Sequence, residues 1–202
     1  MMLALLLVAA QVGTDPRLDR LDPDTRAQVA TVMDSASRVG LPTEPLIQRA
    51  LEGATKAAPG ARIVAAVRRL SADLGVARTA LGTEASVPEL EAGVAALRAG
   101  AKPQVLANLR SVRRHPLTMA LSVLADLVAN GVPLDSAAAA VLALAPKARD
   151  ADLVEFRRAV ERDIALGAPP GAATSVRVNV GATDVFAGLH NPGAPPPPPR
   201  RP

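Results

Sequence analysis

Lysines and paired arginines recur along this chain at nearly constant spacing, and both residue types are suited to binding an anion. Arginine can bind two oxygens of a phosphate or carboxylate through its planar guanidinium, whereas lysine supplies a compact point charge. The recurring residues, each set about 45 residues apart, are Lys56, Lys102 and Lys147 and the pairs Arg68-Arg69, Arg113-Arg114 and Arg157-Arg158. The recurrence predicts equivalent cationic positions that are candidates for binding an anion or a partner.

The sharpest charge imbalance lies around the second lysine. Residues 92–125 contain no acidic residue, although the whole chain has a net charge of only +4. Because a surface of one charge sign attracts the other, we predict an anion contact here, formed by Lys102, Arg110, Arg113 and Arg114. The alternative is a solvated face whose counter-charges lie on neighbouring units. For the lysines, the alternatives are a favourable position at the C-terminal end of a helix, and shared ancestry of duplicated units.

Residues suited to catalysis are scarce. The chain has no cysteine, and its two histidines, His115 and His190, lie in no recognisable catalytic motif. Acidic residues form close pairs, such as Asp22/Asp24, Glu89/Glu91 and Asp150/Asp152. The positive end of a helix stabilises carboxylates in its first turn, which accounts for the first and third pairs without catalysis or metal binding. We therefore predict that the protein is not an enzyme and uses no cofactor or metal.

The same spacing predicts the fold. A branched apolar residue followed by proline recurs in step with the lysines, at Leu41-Pro42, Val87-Pro88 and Val132-Pro133. A fixed period of this length is typical of tandem helical units. We predict an all-α fold of three units of about 45 residues, either α-solenoid-like or a compact multi-helix bundle. Each unit has a helix A (43–55, 89–101 and 135–145), then a helix B with the arginine pair, then a helix C before the next proline.

The unit length lies in the range of HEAT and armadillo arrays, which stack pairs or triplets of helices. The resemblance is one of period and helicity alone, because the signature residues of those arrays are not visible in this chain. It therefore implies a shape and says nothing about partners.

Composition divides the chain into four segments. Residues 1–14 open with an uncharged apolar run that predicts a signal peptide; a disordered or helix-docked terminus is the alternative. This run, about 12 residues long, is too short to span a bilayer. Residues 15–40 are predicted to form an N-terminal capping helix, and residues 41–167 the three-unit repeat domain. Residues 168–202 are rich in proline and are predicted to be a disordered tail.

These features favour a non-catalytic, exported scaffold of the bacterial envelope that binds protein or peptide through the surface of a helical array. One alternative is a module that binds anions such as phospholipid or glycolipid head groups. Nucleic acid is the weaker candidate, because single-strand binders usually stack bases on aromatic rings, which this chain lacks almost entirely. The other alternative is a purely structural or assembly protein. Neither a specific partner nor an oligomeric state follows from these features.

Overall fold

Every regular element in the described residues is helical, as the sequence predicts. The computed structural model describes the backbone of residues 15–188 and the side chains of residues 15–179. The elements are a 3₁₀ helix Pro16–Arg20 and the helices α1 Pro23–Arg38, α2 Glu44–Thr55, α3 Gly60–Leu81, α4 Val87–Arg98, α5 Pro103–Val112, α6 Thr118–Ala129, α7 Leu134–Leu144, α8 Asp150–Ala165 and α9 Pro170–Gly188. Within this range, no helix combines the length and the apolar character needed to cross a membrane.

The helices lie close to the predicted positions. The three predicted helices A correspond to α2, α4 and α7, and the predicted helices B to α3, α5 and α8. Each helix B is predicted to carry the arginine pair, but in the second unit α5 ends at Val112 and the pair Arg113-Arg114 follows it. Helix α4 begins at Val87, before the predicted residue 89, because the Ser86 side chain caps its first turn. The predicted helices B and C of the first unit are one continuous helix, α3, since no proline interrupts it.

The chain divides into two compact units, Met1–Gly75 and Val76–Pro202, and α3 passes through the boundary. In the first unit the 3₁₀ helix packs against α1 and α2, and its Leu18 side chain is fully buried. The start of α3 approaches α1 so closely that a Cβ atom at Gly60 would lie 2.0 Å from the Thr25 hydroxyl oxygen. Glycine is therefore required at this contact, since a larger residue would force the two helices apart.

Helix α6 is the centre of the second unit. It packs against α4, α7 and α8. Its apolar face supplies side chains with essentially no exposed area, namely Leu121, Leu124 and Leu127, and Leu117 just before it is equally buried. Each buried leucine contributes about 1.5–3 kcal/mol relative to an exposed one. Leucine thus supplies the bulk that aromatic rings provide in most cores.

The predicted boundary at residue 167 is wrong for the residues that follow it, because residues 170–188 form α9, which packs against α7 and α8. The prolines that suggested a break instead begin this helix, since proline is favoured at the first helical position, where no backbone N–H is needed. Gly167 adopts a φ of +96° and ends α8. The Arg177 guanidinium then donates to both oxygens of Asp163, at 2.7 Å each, and so fixes α9 on α8. Residues 189–202, which include the polyproline stretch, lie outside the described residues.

The packing of α9 on α7 and α8 predicts that a truncation that removes α9 destabilises the fold. Deleting residues 168–202 removes α9, exposes the faces of α7 and α8 that it covers, and leaves Asp163 without its partner. We expect the thermal midpoint to fall by about 5 °C or more, as a loss of a few kcal/mol produces in a domain of this size. Deleting residues 189–202 alone is the matched control and should leave the midpoint unchanged. Equal midpoints for the two truncated chains in thermal denaturation followed by circular dichroism would show that α9 contributes nothing.

Candidate functional site

The three recurring lysines are all exposed, but their positions relative to helix ends differ. Lys56 follows the last residue of α2, and its Nζ donates to the Glu52 carboxylate at 2.5 Å. Lys147 lies in the turn after α7. Lys102, in contrast, directly precedes the first residue of α5. The predicted favourable position at a helix C-terminus therefore holds for Lys56 and Lys147 and is wrong for Lys102, because a cation is disfavoured at the positive end of a helix.

Arg113 is the most deeply buried basic residue described, with a side chain that is 1 % exposed. Its Nε donates to the Pro116 carbonyl at 3.1 Å, and Nη1 donates to the carbonyls of Ala145 and Ala148 at 2.9 and 2.7 Å. Nη2 donates to the Asp150 carboxylate at 2.5 Å. The guanidinium is thus surrounded by acceptors of its own chain. The prediction that Arg113 contacts an external anion is wrong, because no part of its charge is open to one.

Arg110 also has an internal partner. Its Nη2 donates to Glu89 Oε1 at 2.7 Å, and its Nε donates to the Leu81 carbonyl at the end of α3 at 3.2 Å. The side chain keeps 35 % of its exposure, whereas that of Glu89 keeps 7 %. Arg110 therefore neutralises a buried carboxylate, so an external anion would compete with Glu89 for it. The anion contact at Arg110 stays a prediction.

Glu89 accepts hydrogen bonds on both carboxylate oxygens. Oε1 accepts from Arg110 and from the Leu117 backbone N–H at 2.9 Å, and Oε2 accepts from the Ser86 backbone N–H at 2.8 Å and the Ser86 hydroxyl at 3.0 Å. Burial by itself raises the pKa of Glu89, but the hydrogen bonds from Leu117, Ser86 and Arg110 together outweigh it and lower the pKa to about 2. Glu89 is therefore held as a carboxylate throughout the physiological pH range.

We call Glu89, Arg110, Arg113 and Asp150 the buried charge network. The Glu89–Arg110 pair joins the end of α3 to the start of α4 and to the residue before α6. The Arg113–Asp150 pair joins the end of α5 to the α7–α8 connection. Helix ends leave backbone groups without partners, and the network supplies several of them. One member of each pair is buried, Glu89 or Arg113, while Arg110 and Asp150 keep 35 % and 54 % of their exposure. Removing Arg110 or Asp150 would therefore leave a buried charge without its ionic partner, at a cost of up to about 3–5 kcal/mol. The network is thus a structural element and not an exposed site.

The remaining predicted cations lie at the surface. Arg157 of α8 pairs with Asp126 of α6 and, at 3.6 Å, with Glu161 four residues later. The other arginines of the repeated pairs are exposed: Arg68, Arg69, Arg114 and Arg158. The alternative interpretation of residues 92–125 is confirmed in one respect, because counter-charges do come from outside that segment. Its other part is wrong, since Arg113 is buried and not solvated.

The acidic pairs behave as helix-start residues where the structure resolves their bonds. Asp22 precedes α1 and accepts from the Thr25 backbone N–H at 2.9 Å. Asp152 of α8 accepts from the Arg149 backbone N–H at 2.9 Å. His115 is exposed between α5 and α6, and His190 lies outside the described residues. In the part of the chain that the structure describes, no three His, Asp or Glu side chains are grouped so as to hold a metal ion.

Two concave surfaces lie apart from the buried charge network. The α7–α9 groove, in the second unit, has a volume of about 530 Å³ and is lined by Asp135, Ser136, Ala139, Ala140, Ala143, Thr174, Ser175, Val178 and Asn179. The α2–α3 pocket, in the first unit, has a volume of about 410 Å³, and its charged lining residues are Arg49, Glu52, Lys56 and Arg62. Both are open enough to admit a ligand from solvent. They are the candidate binding surfaces of the described chain.

Comparison of the chain with protein-family models, with curated proteins and with solved structures found no significant match. The candidate surfaces must therefore be interpreted from their own geometry.

Glu89 is the residue whose importance the sequence analysis missed. A partial signal exists, because Ser86 and Glu89 have the Ser-x-x-Glu spacing of a capping box, and the structure contains that box. The spacing identifies the Ser86 bonds but not the partners Arg110 and Leu117. Those partners lie 21 and 28 residues away along the chain.

Adjacent arginines offer a direct test of the buried charge network. Replacing Arg113 with Ala leaves three carbonyls without a donor and opens a cavity, so we expect a loss of about 3–5 kcal/mol in the free energy of unfolding. Arg114→Ala is the matched control, because this exposed neighbour should change stability by less than about 0.5 kcal/mol. Urea denaturation measures both. Similar losses for the two variants would contradict the assignment of Arg113 as the buried partner of Asp150.

The pKa of Glu89 predicts a pH dependence of stability. Its folded pKa, about 2, lies below the ordinary value of 4.5, so its stabilisation is fully present above about pH 5 and is lost as the pH falls from there to about 2. The full effect is on the order of 3 kcal/mol. We expect Glu89→Gln to be less stable at pH 7 and to depend less on pH between 5 and 2. Glu91→Gln changes the exposed glutamate two residues away, and its stability should depend on pH as that of the parent protein does. Parallel stability curves for Glu89→Gln and the parent would refute the lowered pKa.

Proposed function

We propose that the protein is a non-catalytic scaffold that binds an amphipathic helical segment of another protein in the α7–α9 groove. The observation that carries the proposal is the character of this groove, a long concavity between two packed helices lined by short side chains. A scaffold is proposed because the buried charged side chains of the described chain, Glu89 and Arg113, are hydrogen-bonded within the fold and stabilise it.

Two hydroxyl groups of the groove are bonded to the backbone of α9 itself. The Thr174 hydroxyl donates to the Pro170 carbonyl at 2.8 Å, and the Ser175 hydroxyl donates to the Gly171 carbonyl at 3.0 Å. What these residues offer a ligand is therefore mainly their carbon atoms. The alanine and valine side chains of the lining offer apolar contact area to an apolar side chain, and Asp135 and Ser136 offer polar groups at α7. The groove thus favours an apolar partner surface.

The short side chains of α7 explain why the partner is proposed to be a helix. Ala139 and Ala143 are exposed and four residues apart, so they lie on one face of α7 with little side-chain bulk above the backbone. Helices approach most closely where the residues between them are small. Within the same unit α6 already packs across α7 and α8 by a leucine face. By analogy with α6, a helix of another protein that carries leucine or valine on one face would fit the groove. A basic residue of that helix would meet the exposed Asp135.

The repeat arrangement is part of the same proposal. Helices α4–α6 and α7–α9 are two successive triplets, and each triplet begins beside an apolar–proline motif. Helix α9 occupies in the second triplet the place that α6 has in the first. We propose that the triplets are copies of one unit, so that the array extends through α9 and presents the groove as part of its surface.

Location in the bacterial envelope is carried over from the sequence. The apolar run that suggests export lies in residues 1–14, outside the described residues. Binding along a stripe formed by Lys102, Arg110, Arg113 and Arg114 is not favoured, because two of the four are bonded internally. A purely structural role is the outcome expected if the groove binds nothing.

Site-specific photo-crosslinking tests the groove directly. A photoreactive amino acid placed at Ala139 or Ser175 should crosslink, in the native cells, to a defined segment of one protein whose sequence forms an amphipathic helix. The same amino acid at Arg158, exposed on α8, is the control and should not give that product. Crosslinking to the same segment from Arg158, or to no helical segment from any position, would contradict the proposal.

The crosslinked segment then becomes the probe for affinity. We expect Ala139→Arg to weaken binding of the synthetic peptide by about tenfold or more, because the long charged side chain fills the groove. Arg158→Ala should leave the affinity within about twofold. Fluorescence anisotropy of the labelled peptide measures both. Equal affinity for the Ala139→Arg variant would place the binding surface elsewhere.

A further inference from the structure

The α2–α3 pocket combines a concave shape with an excess of positive charge. Three cationic side chains line it, Arg49, Lys56 and Arg62, against one carboxylate, Glu52. All four belong to the end of α2, the residue that follows it and the first turn of α3. The formal charge of the lining is therefore +2. A cavity that concentrates charge of one sign raises the local concentration of ions of the other sign.

Glu52 is hydrogen-bonded to two of the cations and not to the third. Its Oε2 accepts from Arg49 at 2.8 Å, and its Oε1 accepts from Lys56 at 2.5 Å, so both oxygens are engaged. The Arg62 guanidinium makes no hydrogen bond or ion pair within the described residues. A fork of N–H donors thus lines the pocket with no acceptor among the described residues.

The position of Arg62 makes this more than an unpaired surface charge. It is the third residue of α3, a helix of 22 residues, and no acidic residue lies in the first turn of that helix. The start of a helix carries partial positive charge, so a cation there is unfavourable unless an anion offsets the charge of the cation and that of the helix end. The pocket places Arg62 where a bound anion would meet the guanidinium, Lys56 and Arg49 together. This is a different site from the one predicted around Lys102 and Arg113.

We propose that the α2–α3 pocket binds a phosphate monoester or inorganic phosphate, with Arg62 as its principal ligand and Lys56 and Arg49 as supporting charges. A phosphate dianion neutralises the net charge of +2, which a single carboxylate does not. Its tetrahedral oxygens also accept a planar guanidinium fork and a lysine point charge at the same time. The proposal is independent of the peptide groove, which lies in the other unit and has different chemistry.

The test uses the full chain and two sources of phosphate. Isothermal titration calorimetry measures binding of inorganic phosphate and of glycerol 3-phosphate at low ionic strength. Sedimentation measures binding to phosphatidylcholine vesicles with and without phosphatidic acid. Saturable binding in the first arm identifies a soluble phosphate ligand, and binding confined to the phosphatidic acid vesicles identifies a lipid head group; either result supports the pocket if it depends on Arg62.

Matched variants on one helix decide that dependence. We expect Arg62→Gln to weaken binding about tenfold or more, since a charge-assisted hydrogen bond is lost, and Lys56→Gln to weaken it less. Arg68→Gln removes the same charge from an exposed position of α3 outside the pocket and should change affinity by less than about twofold. Circular dichroism confirms that all variants are folded. Absence of saturable binding in both arms, or equal losses for Arg62→Gln and Arg68→Gln, would overturn the proposal.

Discussion

Two fully charged side chains, Glu89 and Arg113, are buried in the second unit, and the need to satisfy them constrains the surrounding helices. An ion that leaves water must recover equivalent hydrogen bonds inside the protein or the folded state becomes unfavourable. Here the compensating groups are backbone N–H and carbonyl groups at helix ends, together with Arg110 and Asp150. The α3–α4, α5–α6 and α7–α8 connections are therefore held by directional hydrogen bonds as well as by non-directional packing.

The same constraint changes the interpretation of a basic sequence. A run of arginines without nearby acids suggests an external anion, but arginine is also the cation best suited to burial, because its planar fork satisfies several acceptors at once. Arg113 does so with four acceptors. Net charge along a segment therefore predicts little about binding until the partners of each charge are known. Among the described residues of the first unit, the Arg62 guanidinium has no hydrogen-bond or ion-pair partner. In the second unit, the Arg113 guanidinium is enclosed by acceptors of that unit.

The core shows how a chain almost without aromatic residues builds a packed interior. Leucines on α6 fill the centre of the second unit, while alanines on α7 allow close approach of neighbouring helices. Small side chains also leave shallow concavities at the surface wherever no further helix covers them. The α7–α9 groove is such a place, and its lining follows directly from the alanine-rich composition of α7.

Helix positions were determined by the sequence itself. Gly131 adopts a φ of +85° after α6, a local conformation that sequence composition predicts. The Ser86 cap of α4 also acts within a few residues, but the sequence prediction began that helix at residue 89 and did not use it. Helix α9 was the exception, since the same prolines can end one helix and begin another, and only its packing on α7 and α8 decides between the two. The sequence did not predict which charged residues pair with each other. Arg113 and Asp150 are 37 residues apart and meet because of how the helices pack, which local spacing does not encode.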